Sequence, residues 1–156
     1  MKVSELFETK GRSVLSVMGE QPDHLTYDFS CSEKELTSLE GAPKVVSGGF
    51  DCQYNNLTSL EGAPSSVGNI FNCAYNKLTS LDGAPSSVGG YFSCYNNKLT
   101  SLHNIHKQIK KIYRYANFIR NPIKSHVLGL LLIDRLQKAY LDNKIVQGLI
   151  NKHIKG

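Results

Sequence analysis

Leu57-Thr58-Ser59-Leu60-Glu61-Gly62-Ala63-Pro64 is the stretch that decides the fold, because the chain writes it again on either side. Leu36 to Pro43 is the same phrase, Leu78 to Pro85 differs only in carrying Asp82, and Leu99-Thr100-Ser101-Leu102 is a truncated fourth copy. The period is 21 residues, and other positions keep it. Phe29, Phe50, Phe71 and Phe92 form one column, and Cys31, Cys52, Cys73 and Cys94 a second. Pro22, Pro43, Pro64 and Pro85 form a third, and Leu25, Val46, Val67 and Val88 a fourth. Asn55, Asn76 and Asn97 make a fifth, headed by Lys34. Self-similarity at such a period marks a solenoid, in which each repeat is one coil that buries its apolar side only against its neighbours.

Each column has a physical reason. Phe and Cys stand two residues apart, so both face the same side of a short strand, the inside of the coil. Stacked coils bring these strands to about 4.8 Å spacing in a parallel sheet. The asparagine bonds backbone groups where the chain turns out of the strand. Leu57 and Leu60 fill the next wall, and Pro64 restricts the turn and removes a donor. The glycines of Ser47-Gly48-Gly49 and Val88-Gly89-Gly90 mark a turn into the strand. Carried onward, the count places Ile109 in the valine column and Tyr113 and Tyr115 in the Phe and Cys columns. That predicts a fifth strand over Ile112 to Tyr115, with Phe118 at the asparagine position; Tyr27 to Cys31 is the expected first strand.

These columns resemble the leucine-rich repeat, whose pattern is L-x-x-L-x-L-x-x-N-x-L, with Phe71-Asn72-Cys73-Ala74-Tyr75-Asn76-Lys77-Leu78 as the core of one copy. The Leu57–Pro64 phrase is similar to the short repeats of secreted bacterial effectors, and more so to leucine-rich-repeat proteins encoded by large tailed bacteriophages. The resemblance spans residues 22–116 and implies an α/β solenoid with a short parallel sheet of about five coils. It also implies a binding role: in a phage setting, capture of a host protein to inhibit or redirect it. The ubiquitin-ligase activity of the effectors does not carry over, since the chain has no cysteine after the repeats.

The ends read as caps. Residues 1–24 form an N-terminal cap, with Val3, Leu6 and Phe7 at helical spacing, Gly11 as a stop, and Val14, Leu15 and Val17 as an apolar flap over the first coil. Residues 25–118 are the repeats and residues 119–156 a helical C-terminal cap, all within one structural domain. Asn121-Pro122 reads as the start of a helix through Ile123, His126, Val127, Leu130 and Leu131. A sixth, edge strand is expected near Ala139 to Leu141, and a last helix follows Asp142 or Asn143.

The net charge of +5 hides an asymmetry. Residues 1–102 carry a net −4 and residues 103–156 a net +9, which allows contact with nucleic acid or an acidic surface, or simply a solvated helical face. No apolar run of membrane-spanning length occurs. Met1-Lys2-Val3-Ser4-Glu5 lacks the apolar core of a secretory signal, so a cytoplasmic location in a bacterium or a phage-infected cell is expected. The cysteines lack the paired spacing of metal ligands and read as small buried hydrophobes in a reducing compartment. Neither a metal nor a cofactor is expected, and no P-loop, G-x-S-x-G or H-E-x-x-H pattern occurs. His103, His106 and His126 read as exposed or structural. The chain is therefore expected to bind and not to catalyse.

Two docking surfaces compete. The first, for a protein partner, is the outward face of the Phe–Cys strands. Its columns are Asp28, Gly49, Ile70 and Tyr91; then Ser30, Asp51, Asn72, Ser93 and Arg114; then Ser32, Gln53, Ala74 and Tyr95; then Glu33, Tyr54, Tyr75 and Asn96. Tyr54, Ile70, Tyr75, Tyr91, Tyr95, Asp51, Asn72 and Arg114 are its expected contacts, tyrosine combining a large buried area with one polar group. The second is for nucleic acid, through phosphate contacts from Lys107, Lys110, Lys111, Arg120 and Lys124. Inward placement of Tyr113 and Tyr115 would deprive that surface of stacking platforms.

Overall fold

A computed structural model describes residues 11–102, 105–114 and 116–123, with only the backbone of His106 and Lys107. The predicted helix over Val3 to Phe7, the C-terminal helices, the edge strand at Ala139 to Leu141, His126 and Lys124 lie outside the described residues, as do Tyr115 and His103.

The first described element is a short helix, α1 (Val14–Met18). Ser13 caps it: its hydroxyl accepts from the Ser16 N–H, and the Ser16 hydroxyl accepts in turn from the Ser13 N–H. Val14 is buried, while Leu15 and Val17 stay exposed. The Arg12 carbonyl accepts the Thr37 N–H at 2.8 Å and Leu15 donates to the Glu40 carbonyl at 2.9 Å, so this segment runs along the leucine wall of the first coil.

Every coil then supplies two strands of two residues each. One sheet is built from β1 (His24–Leu25), β3 (Val45–Val46), β5 (Ser66–Val67), β7 (Ser87–Val88) and β9 (Lys111–Ile112), in that order and all parallel. The other is built from β2 (Phe29–Ser30), β4 (Phe50–Asp51), β6 (Phe71–Asn72), β8 (Phe92–Ser93) and β10 (Ala116–Asn117). The protein is thus a parallel β-solenoid with two sheets instead of the single sheet expected. The valine column had no strand assigned to it, because one inward residue per coil leaves no alternation to read.

Registers follow the columns. Phe29, Phe50, Phe71 and Phe92 pair in line, and so do Leu25, Val46, Val67 and Val88. Identical residues stacked at strand spacing place like rings on one another, and the phenylalanine centroids lie 5.3, 5.6 and 5.4 Å apart. These rings, the four cysteines and Leu36, Leu39, Leu57, Leu60, Leu78 and Leu99 form one continuous core. The leucine wall turns through Gly41, Gly62 and Gly83 at φ 86°, 87° and 82°, where the following alanine N–H returns to the leucine carbonyl three residues back. Gly68 answers a different need: a Cβ there would run into the Ser47 carbonyl of the coil before.

The asparagine column closes the corners. Asn76 Oδ1 accepts from the Leu57 N–H at 3.0 Å, and its Nδ2 donates to the carbonyls of Cys52 at 3.0 Å and Cys73 at 3.2 Å. Asn55 and Asn97 repeat the pattern, so each asparagine ties its own coil to the one before. Lys34 sits in this column without sharing the role; its backbone N–H is one of the donors to Asn55.

The fifth coil departs from the sequence expectation. A one-turn helix, α2 (Ile105–Gln108), follows Leu102, and the register then slips by three residues. Ile112, not Ile109, pairs with Val88, while Ile109 is buried where earlier coils carry proline. Ala116 takes the Phe column, and Phe118 takes the Cys column with its ring 5.7 Å from Phe92. Tyr113, expected inward, is 41% exposed. Asn121, read as a helix start, is the last rung of the ladder among the described residues: it accepts from Leu99 at 3.0 Å and donates to the Cys94 carbonyl at 2.8 Å. Residues 119–123 hold no helix. The strand expected over Tyr27 to Cys31 is β2, which begins at Phe29, with Tyr27 exposed before it. Among the described residues no helix is long and apolar enough to cross a membrane.

Candidate functional site

The outward face of the β2–β10 sheet ends in a repeated device. Asp51 Oδ1 accepts the Gln53 N–H at 3.0 Å, Asn72 Oδ1 the Ala74 N–H at 3.2 Å, and Asn117 Oδ1 the Ile119 N–H at 3.0 Å. These are side-chain turns, which asparagine and aspartate make readily. The residue after each turn is left-handed, Tyr54, Tyr75 and Arg120 having φ of 53°, 53° and 59°, and so are Glu33 and Asn96 at the same place in their coils, at 55° and 54°. A non-glycine residue held there costs about 1–2 kcal/mol. The coil lattice holds it, since Tyr54 donates its N–H to the Ala74 carbonyl and Tyr75 to that of Tyr95. Asp51 and Asn72, expected as contacts for a partner, therefore spend an acceptor on their own backbone.

The side chains of this row meet along the solenoid axis. The Tyr54 and Tyr75 rings stack at 4.3 Å with 13° between planes, and Tyr95 leans onto Tyr75 at 5.3 Å and 60°. Arg120 closes the row, its guanidinium carbon 5.4 Å from the Tyr95 ring centre. Tyr54 is 47% exposed, and Ile119 beside the row 67% exposed. Ile70, 43% exposed, and the half-buried Tyr91 lie at the other end of the strands. The half-buried Asn72 and the buried Ser93 and Ala74 lie between, so the face has two apolar rims and a polar middle.

Two predicted residues change sides. Arg114 is not in the Ser93 column, which Asn117 continues; its N–H bonds the Gly90 carbonyl in the turn between the sheets. Arg120, expected among phosphate contacts, is the cation of the tyrosine row. The lysines of the basic set whose side chains are described, Lys110 and Lys111, lie exposed at β9 on the other sheet, apart from Arg120. A repeat that is regular only through Leu102 hid both shifts. The spacing of Asn97 and Asn121, three residues more than the period, was the signal that would have exposed them.

The cysteines are free and buried. Burial, aided by the charge of Asp51, pushes the Cys31 thiol up to about 12, and burial pushes Cys52 and Cys73 well above the ordinary range. The Cys73 thiol donates to the Ser93 carbonyl at 3.2 Å. No cluster able to hold a metal occurs among the described residues. Compared with protein families, with curated proteins and with solved structures, the chain finds no match in any of the three.

Proposed function

We propose that this chain is a protein-binding module that docks its partner on the tyrosine row of the β2–β10 sheet. The observation that carries the reading is the continuous stack Tyr54–Tyr75–Tyr95–Arg120, partly open to solvent on a backbone fixed by ladder bonds. Rigid aromatic side chains bury area with little loss of freedom, and tyrosine and arginine dominate binding hot spots. Ile70, Tyr91 and Ile119 extend the contact, and Asp51 and Asn72 supply polar edges. The chain binds and does not catalyse in this reading. Kinship with the leucine-rich repeats of phage proteins rests on the repeated phrase alone, and in that setting the partner is a host protein.

The test is capture from the source cell with tagged wild type and with a Tyr75→Ala/Tyr95→Ala variant whose circular dichroism shows it folded. A partner held by the wild type should be lost by the variant, with a weakening of about 2 kcal/mol or more. Equal capture by both would refute the site.

One observation favours a second reading. Tyr113 is exposed next to Arg114 and close in sequence to Lys110 and Lys111, which returns a stacking platform to the basic end. Binding of single-stranded nucleic acid with nanomolar affinity at about 150 mM salt, lost on Lys110→Glu/Lys111→Glu, would establish it.

A further inference from the structure

The left-handed row has an order: Glu33, Tyr54, Tyr75, Asn96 with the Tyr95 ring beside it, and Arg120. An exposed carboxylate stands at one end, an exposed guanidinium at the other, and stacked rings between. Behind the first end Asp28 is exposed, while Glu35 is paired with Arg12 at 3.8 Å, so the polarity of the row rests on Glu33 and Arg120. Coils repeat at about 4.8 Å, so Glu33 and Arg120 stand about 19 Å apart.

We infer that this row is self-complementary, and that its partner is a second copy of this chain packed face to face and antiparallel. A two-fold axis through Tyr75 lays Glu33 on the partner's Arg120, Tyr54 on the partner's Tyr95, and Tyr75 on itself. Such an isologous contact repeats every pairing twice. A parallel arrangement would instead oppose carboxylate to carboxylate and guanidinium to guanidinium. The inference rests on the docking surface proposed above and names its occupant. The face measures about 19 Å by about 18 Å, well under the roughly 800 Å² per partner of a stable complex, so the pairing is weak and concentration-dependent.

Sedimentation velocity on the full chain, from about 1 µM to about 500 µM, reads the association directly. The wild type should pass from monomer to dimer, more weakly at high salt. Glu33→Arg alone and Arg120→Glu alone should each weaken dimerisation by about tenfold or more, because each reversal makes two like-charge contacts. Glu33 is exposed, so Glu33→Arg should melt like the wild type, and Arg120→Glu, which also gives up the contact with the Tyr95 ring, should melt only slightly lower. An equimolar mixture of the two variants should associate again, since the mixed pair restores both contacts. A wild type that stays monomeric throughout the range overturns the inference, and so does a dimer indifferent to these reversals. The docking surface itself survives a monomeric wild type if Tyr75→Ala/Tyr95→Ala still loses a different captured protein. If neither self-association nor capture responds, both readings fall.

Discussion

Replacing Asn76 by alanine should remove a large share of the fold's stability without touching its hydrophobic surface. The residue is 8% exposed, and its side chain satisfies two coils at once. Its loss leaves the N–H of Leu57, a fully buried residue, without the Oδ1 acceptor, while the Cys52 carbonyl loses the Nδ2 donor at 3.0 Å but keeps that of Asn55 at 3.1 Å. A buried polar group stripped of its partner costs about 1–3 kcal/mol, and the one orphaned N–H of Leu57 sets the expected loss at that size. Against a total stability of about 5–15 kcal/mol, that is a sizeable fraction for one side chain. Because neighbouring coils stabilise one another, the loss should spread along the array and not stay at one corner. Urea unfolding followed by circular dichroism measures it, with exposed Lys77→Ala as the neutral control. Asn76→Asp keeps the acceptor but points an anion at the Cys52 and Cys73 carbonyls, so it too should destabilise, and less so at acid pH. An Asn76→Ala variant within about 0.5 kcal/mol of the wild type would mean that the ladder adds nothing beyond what water supplies.

Phe71→Ala should cost about 3–5 kcal/mol by the cavity it opens between the Phe50 and Phe92 rings, and a melting curve unchanged from wild type would refute the inward register. Thiol titration should find all four cysteines reactive in urea without reductant and almost none in the native state; two or fewer in urea would show pairing. The raised thiol pKa values also set a pH window. The folded state holds its thiol protons more tightly, so stability is complete below the ordinary value of 9.0 and falls as pH rises toward about 12 for Cys31. Urea midpoints between those limits should fall less steeply for Cys31→Ala than for the wild type, and equal slopes would refute the assignment.

The repeated coils were legible because each solves the same problem with the same residues. Phe71, Cys73, Asn76 and Leu78 differ little in task from Phe50, Cys52, Asn55 and Leu57, so the period alone yields register, core and ladder. The second sheet was not legible: strands as short as Ser66–Val67 show no alternation, and only their pairing with neighbours defines them. The fifth coil failed for the opposite reason. A count carried past Leu102 takes the corner as fixed, whereas the turn that runs from Leu81 to Pro85 in one coil is replaced in the next by α2. Phe118-Ile119-Arg120-Asn121 matches Cys94-Tyr95-Asn96-Asn97 in its task, yet a phenylalanine in the cysteine column disguises it. At the candidate site, the tyrosines were visible as outward residues. The left-handed backbone that aligns them is carried by non-glycine residues and leaves no mark in the repeat, and the arginine that ends their row depends on the slipped register.

That slip separates two kinds of corner. Where the asparagine sits, chain length is locked, because one side chain must reach the backbone of two coils at hydrogen-bond distance. After Leu102 the chain takes a longer path through α2 and still delivers Ile112, Ala116, Phe118 and Asn121 to their columns. The corner following the leucine wall is therefore the architecture's expansion joint. Coil length can vary there with the stacking pitch unchanged, and foreign segments placed after Leu60 or Leu81 would project from one side of the rod in a line, at a spacing dictated by the lattice rather than by their own sequence.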